Sequence, residues 1–259
     1  MAIKNIDKKI NIWEGVYKSY KHAPTTGLGF KGKIWKNKSF TNITHFLKLA
    51  EKKKIIPEFV FYRESLLPFL ATLTHKDKKI IKIIDFGGNL GQEFISIQHS
   101  TNIKSKDIQY YIIENKDICE MGNKLFKYNK RIKFLSELPK TVSGIDIIHV
   151  GSALQYVENW RKMLKEFVRL KPSYILFTDL QAGDIPTYVT VQNYYDSKIP
   201  VWFFNISDII KEFDGFNYKL VFKSTFRGSF FGKERDRPQL NLPQKFRLKN
   251  SCNLLFIKK

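Results

Sequence analysis

From residue 80 onward, short β-branched runs alternate with stretches in which apolar residues recur every three or four positions. Ile80-Ile81-Lys82-Ile83-Ile84 predicts a strand that ends at Asp85, and residues 91–99 predict a helix. Gln109-Tyr110-Tyr111-Ile112-Ile113 predicts a second strand, ending at Glu114, followed by a helix over 117–128 and a third strand over 132–135. Ile145 to Val150 reads as a fourth strand, 158–169 as a helix, and Tyr174-Ile175-Leu176-Phe177-Thr178 as a fifth strand ending at Asp179. Strands alternating with helices imply βαβ crossovers, hence a mostly parallel α/β sheet with helices on both faces.

The two flanks have a different rhythm. Residues 1–75 predict an N-terminal helical cap: a turn-rich aromatic start, then helical spacing around 40–52 (Phe46, Leu47, Ala50) and 58–73 (Phe59, Leu66, Leu67, Leu70). Residues 76–259 form the main domain. Within it, about 180–204 reads as a long irregular insertion, 206–213 as a helix and 218–223 as a strand. A Gly/Arg-rich loop over 227–250 precedes a closing strand, Asn253 to Ile257. Ligands of open α/β sheets bind at the carboxyl ends of the strands, so the insertion after strand five lies where a substrate would.

Composition narrows the class. With 259 residues, 43% hydrophobic and 15% aromatic, the chain has material for one large core, which excludes disordered, collagen-like and disulfide-scaffold proteins. Cys119 and Cys252 stand far apart with no Cys or His at metal-ligand spacing; they read as buried thiols of a reducing compartment, and no metal set is visible. The N-terminus lacks an apolar signal core, and no apolar run approaches the roughly 20 residues that span a bilayer; a soluble, cytoplasmic protein is expected. The net charge of +21 invites a nucleic-acid reading. The lysines are scattered, however, which favours a compositional bias, with peripheral attraction to an anionic membrane surface or substrate as the alternative.

The loop Asp85-Phe86-Gly87-Gly88-Asn89-Leu90-Gly91 carries the chemistry. Glycines there allow a sharp strand–helix turn and a close ligand approach. Their spacing misses the G-x-G-x-x-G dinucleotide fingerprint, and an opening acid suits a ligand with a cationic amino group better than a pyrophosphate. Glu114, two dozen residues on, can accept hydrogen bonds from both hydroxyls of a ribose. Glu137, in Ser136-Glu137-Leu138, is placed either to meet an adenine ring or as a plain surface turn. Gly151 and Ser152 follow strand four, where the backbone can approach a cofactor. His149 reads either as a hydrogen-bonded core histidine or as a second proton-transfer group, and Asp179 either as a general base for a substrate hydroxyl or as a cap.

Trp13-Glu14-Gly15, the loop 85–91, Gly151-Ser152-Ala153-Leu154-Gln155-Tyr156, Thr178-Asp179-Leu180-Gln181, Gln192-Asn193-Tyr194-Tyr195 and Pro243-Gln244-Lys245-Phe246-Arg247 occur in this order. Together they resemble a family of class I S-adenosylmethionine-dependent methyltransferases associated with bacterial surface-polysaccharide (O-antigen or capsule) biosynthesis. The resemblance covers nearly the whole chain. It implies a Rossmann-like seven-stranded sheet with the last strand inserted antiparallel, and S-adenosylmethionine as methyl donor. Asp85, Gly87 and Gly91 would stand at its methionine end and Glu114 at its ribose. Asn89 departs from the wider class, which has a third close glycine there.

The segment after strand five supplies candidate acceptor contacts. Gln181, Tyr188, Gln192, Tyr194, Tyr195 and Trp202 offer flat aromatic faces and amides suited to a pyranose, or they pack an ordered loop. Arg227, Arg235, Arg237 and Arg247 can hold a phosphate bidentately. The expected activity is O-methylation of a saccharide, a nucleotide-sugar or a lipid-linked glycan. An RNA methyltransferase and a non-catalytic binding protein on the same fold are the rival readings.

Overall fold

The computed structural model describes residues 11–52, 65–226, 229–230, 233–234 and 239–259. In chain order they form β1 (Trp13–Tyr17), α1 (Lys33–Glu51), α2 (Leu66–His75), β2 (Ile81–Phe86), α3 (Gln92–Ser100), β3 (Ile108–Ile113) and α4 (Lys116–Leu125). Next come β4 (Ile132–Leu135), β5 (Ile147–Gly151), α5 (Trp160–Arg169), β6 (Tyr174–Leu180) and β7 (Ala182–Gly183). The chain closes with β8 (Tyr188–Tyr194), β9 (Ser197–Asn205), α6 (Ile206–Gly215), β10 (Tyr218–Phe226), β11 (Ser229–Phe230), β12 (Lys233–Glu234) and β13 (Ser251–Lys258).

Seven strands make the central sheet in the order β10-β13-β6-β5-β2-β3-β4. Strands β4, β3, β2, β5 and β6 run parallel, while β13 is antiparallel to both neighbours. Successive side chains of these strands face opposite cores, as the pleat requires. Ile84, Ile148, Val150, Ile175 and Phe177 pack with Trp160, Leu164 and Phe167 of α5 and Phe213 of α6. Ile81, Ile83, Tyr110, Ile112 and Ile147 pack with Leu67 and Leu70 of α2, Phe94 of α3 and Cys119 of α4. Helices therefore cover both faces, as the alternating pattern predicts. Asparagines start three of them: the side chains of Asn115, Asn159 and Asn205 accept hydrogen bonds from backbone N–H groups of α4, α5 and α6.

The flanks hold the corrections. The stretch expected to be irregular, 180–204, is mostly sheet: β8 and β9 form an antiparallel hairpin through the two-residue turn Tyr195-Asp196. β1 adds to the β8 edge and β7 to the β9 edge, giving a second sheet ordered β1-β8-β9-β7. Two features hide this from a periodicity reading. Tyr188 to Val191 are all buried, so β8 lacks the polar–apolar alternation of a half-exposed strand. Pro200 interrupts β9, tolerated because β7 pairs only with Phe204 and Asn205 and leaves that edge at Pro200 unladdered. Gly15, at φ 74°, lies within the bulge that lets β1 follow β8.

The N-terminal segment is accordingly not helical throughout. Its α1 begins at Lys33, earlier than residue 40, and packs Ile43 and Phe46 on Leu90, Ile95 and Ile118. The expected helix over 58–73 is described from Leu66; residues 58–64 lie outside the described residues. Both cysteines are free and buried, as expected, and burial pushes the Cys252 thiol up to about 12. Among the described residues, no helix is long and apolar enough to cross a membrane.

Trp13 fastens β1 to the hairpin. Its ring is buried and meets Phe203 edge-on at 5.0 Å. Trp13→Ala is expected to cost about 3–5 kcal/mol, measured by urea denaturation. A loss below about 1 kcal/mol would show that β1 docks without its ring.

Candidate active site at the carboxyl ends of the parallel strands

The turn after β2 is built over a buried carboxylate. Asp85 is 1% exposed; it accepts from the Tyr110 hydroxyl at 2.7 Å, and its other oxygen lies 2.8 Å from His149 Nδ1. His149 Nε2 stands 2.9 Å from Thr178 Oγ1, so both ring nitrogens are engaged. This polar row crosses β3, β2, β5 and β6. A side chain at Gly88 would place its Cβ 2.3 Å from Asp85 Oδ2, and one at Gly87 would meet Ala153 at 2.5 Å, at a φ of 74°. Glycine is therefore required at both positions for packing, and at Gly87 for backbone freedom as well.

A cleft of ≈ 1050 Å³ opens above these strand ends. Gly87 and Asn89 line it from the turn, Glu114 and Asn115 from the end of β3, Ser152 from the end of β5 and Asp179 from the end of β6. Burial is the main influence on Glu114 and raises its pKa, opposed by hydrogen bonds from the backbone N–H groups of Asn115 and Asn89. Asn115 thus caps α4 and holds Glu114 at once. Asn89 donates through Nδ2 to Ser39 of α1 at 3.0 Å, while its buried Oδ1 has no hydrogen-bond partner among the described residues. Asp179 is 3% exposed; its Oδ1 accepts from Ser251 Oγ at 2.5 Å and from Gln181 Nε2 at 3.3 Å. Asn89, Ser152 and Asp179 all have positive φ, at 48°, 51° and 51°.

The opposite wall comes from the second sheet and the segment before α1. Gln192 and Tyr194 of β8 line the cleft, and the Tyr156 hydroxyl donates to Gln192 Oε1 at 2.7 Å. Phe30 lies 4.8 Å from Tyr156, 5.3 Å from Tyr194 and 5.4 Å from Trp35, forming an aromatic floor. Thr25 to Lys31 close this wall together with Lys198.

Several expected site residues are placed elsewhere. Asp85 does not line the cleft, and its acceptors are committed to Tyr110 and His149 beneath the turn. It supports the loop and does not present a carboxylate to a ligand. His149, 2% exposed and bonded at both nitrogens, is the core histidine of that row and has no ring nitrogen for proton transfer. Gly88, Gly91 and Gly151 do not line the cleft; the last leaves room for the His149 ring, 2.9 Å from where its Cβ would be. Ser136 lines the cleft and its exposed neighbour Glu137 does not. Tyr188 is core, donating to the Phe246 carbonyl; Trp202 donates to the Glu158 carbonyl; Tyr195 is exposed at the hairpin turn. Gln181 contributes only through Asp179. Arg247 spends its guanidinium on the Leu240 and Leu242 carbonyls, and Arg227, Arg235 and Arg237 lie outside the described residues.

Sequence reasoning missed Thr25–Lys31, Trp35, Tyr156 and Lys198. The alternate glycines 27 and 29, in a loop too short for a domain linker, were the available signal.

No protein-family model matches the chain, and no curated protein matches it. Among solved structures it is similar to an S-adenosylmethionine-dependent methyltransferase from Clostridium acetobutylicum, with 8% identity, 85% of this chain and 98% of that one covered, and a TM-score of 0.50. It is similar too to the Burkholderia thailandensis 1,6-didemethyltoxoflavin-N1-methyltransferase, solved with bound 1,6-didemethyltoxoflavin and S-adenosylhomocysteine, at 9% identity, 86% and 89% coverage and a TM-score of 0.52. The fold is that of the class I methyltransferases. The seven-stranded sheet and its antiparallel β13 carry that assignment.

Two outcomes test the site's construction. Asp85→Ala strips the polar row of its only carboxylate and is expected to cost about 3–5 kcal/mol in urea denaturation; wild-type stability would return Asp85 to the ligand-binding set. Glu114 has a folded-state pKa raised by burial, so the folded chain binds more protons than the unfolded one between the ordinary and the raised value. Stability should therefore fall as pH rises through that window, and Glu114→Gln should flatten this slope in melting curves taken across it.

Proposed function

We propose that this chain is an S-adenosylmethionine-dependent methyltransferase that methylates an oxygen of a saccharide acceptor. The observation that carries the reading is Glu114: a desolvated carboxylate at the end of the second parallel strand, facing a cleft large enough for a nucleoside ligand and an acceptor together. The residues suit the cofactor. Glu114 would accept from its ribose hydroxyls, Asn89 Oδ1 from a donor such as its amino group, and the turn at Gly87 admits close backbone approach. Bound there, the cofactor supplies an electrophilic methyl group.

The chain's own residues would do the rest. Ser251 and Gln181 fix the Asp179 carboxylate through one oxygen, and Asp179 is part of the cleft wall, so under this reading its carboxylate would take the acceptor hydroxyl's proton. Phe30, Tyr156 and Tyr194 offer flat apolar faces, and Gln192 an amide, which together match the two-sided chemistry of a pyranose. Enclosing acceptor and donor in one cleft converts a bimolecular encounter into an oriented one.

Titration calorimetry decides the first step. S-adenosylmethionine or S-adenosylhomocysteine should bind and NAD should not; the reverse would sink the proposal. Glu114→Ala should weaken binding by about 2 kcal/mol, roughly thirtyfold. Asp179→Asn should leave cofactor affinity within about twofold but slow methyl transfer to glycan acceptors, followed by mass spectrometry, by about a hundredfold or more.

A further inference from the structure

We propose that Asn253 is a positioning residue: it holds the β-bulge that takes the Asp179 carboxylate off the core face of β6 and leaves Asp179 in the cleft wall. The ladder between β6 and β13 carries the argument. Leu254 pairs with Phe177 and Cys252 with Leu180, so Thr178 and Asp179 together stand opposite the single residue Asn253. Side chains alternate along a regular strand, which would put Asp179 on the face of Ile175 and Phe177, against α5 and α6. The extra residue of a bulge shifts that alternation by one. Ile175, Phe177 and Leu180 all belong to one core cluster, so Leu180 takes the place on that face that Asp179 would otherwise fill. Cys252, Leu254 and Phe256 of β13 join the same cluster, and the alternation sends Ser251 and Asn253 to the other face. There the Asp179 carboxylate meets Ser251.

Such a bulge needs holding. Asp179 has a φ of 51°, the left-handed conformation that glycine usually supplies at this position of a bulge. A residue with a Cβ keeps it only where the surroundings over-determine it. Asn253 does so with both ends of its amide. Its Oδ1 accepts from the Asp179 N–H at 3.1 Å, and its Nδ2 donates to Ser224 Oγ of β10 at 3.0 Å. A backbone N–H can only donate, so Oδ1 is the end that must face Asp179, and the amide has one orientation. Asn253 is 7% exposed, which leaves little room for water to take its place. Strand β13 therefore grips Asp179 twice, the backbone through Asn253 and the carboxylate through Ser251. The inference deepens the proposed function and rests on it for what the carboxylate does, not for where the carboxylate stands.

Amide hydrogen exchange of the full-length protein, read residue by residue by NMR, tests the placement without any acceptor. Asn253→Leu keeps the bulk of the side chain and removes its acceptor and donor; exchange at the Asp179 amide should rise by about tenfold or more, while Ile175 to Phe177 change by less than about twofold. Ser224→Ala removes only the bond that orients Asn253, and should give a smaller rise at the same amide; it keeps the test open if Asn253→Leu does not fold. Phe256→Leu is the control for plain loss of stability: it loosens β13 away from the bulge, and should raise exchange along β6 and β13 together. The second readout is methyl transfer to glycan acceptors per folded protein. Asn253→Leu should lower kcat by about tenfold with the KM for S-adenosylmethionine within about twofold, and Phe256→Leu should leave both unchanged. Three results overturn the inference: no faster exchange at Asp179 in Asn253→Leu, a rise spread along β6 as in the control, or selective exchange with kcat unaltered. If the unmutated protein transfers no methyl group while exchange rises at Asp179 alone, the methyltransferase reading falls and the placement of Asp179 by Asn253 stands.

Discussion

A carboxylate buried at the end of the first parallel strand must be hydrogen-bonded, because an isolated buried charge costs several kcal/mol at the least. Asp85 meets that constraint by recruiting Tyr110 from one neighbouring strand and His149 from the other, and His149 in turn engages Thr178. The row fixes how four strands end relative to one another, since Asp85 sits opposite His149 in the β2–β5 ladder. It also dictates residues above it. Gly88 and Gly151 are glycine because a Cβ would strike the Asp85 carboxylate or the His149 ring. The glycine-rich turn thus owes part of its composition to what lies beneath it, and only part to a ligand above.

On that platform the chain stores backbone strain where the cleft is. Asn89, Ser152 and Asp179 take positive φ at the ends of three different strands, which costs of order 1–3 kcal/mol each for residues with a Cβ. Every one is held by specific bonds: Asn89 to Ser39, Ser152 to Gln155, and the Asp179 N–H to Asn253 Oδ1 at 3.1 Å. All three line the cleft. Their common placement is what sets them apart from ordinary loop outliers. The surrounding hydrogen bonds hold side chains at fixed directions before any ligand arrives, so orientation need not be supplied by the ligand.

The parallel sheet was legible because its central strands are largely buried and read as short apolar runs, with Asp85, Glu114 and Asp179 marking the ends of three of them. Ile81 to Asp85 and Gln109 to Glu114 announce themselves in this way, and the antiparallel last strand followed from the resemblance. The second sheet was not legible. Its β1 and β8 pair across more than 170 residues, as Trp13 with Gln192 shows, and no local window contains both partners. Of the candidate site, the strand ends Glu114, Ser152 and Asp179 do line the cleft, whereas the titratable Asp85 and His149, expected beside them, lie beneath it. Asp85 and His149 have the residue types and positions of functional groups; only their burial and their mutual bonds separate support from contact.

The long-range pairing has a consequence for how the two halves of the cleft can vary. Strand ends of the central sheet build one half, anchored by a buried polar row that tolerates little change. The other half is assembled from the segment before α1 and the hairpin after β6, joined to each other at Thr26–Lys198 and Trp13–Gln192. Substitutions at Lys31, Tyr194 or Gln192 touch neither Asp85 nor His149 and leave the parallel ladder intact. Under the proposed function, the donor half is constrained by the packing of the core, while the acceptor half is constrained mainly by what it binds. Under that reading the acceptor half can change without rebuilding the fold, because among the described residues the aromatic floor of Phe30, Tyr156 and Tyr194 shares no hydrogen bond with the polar row beneath β2.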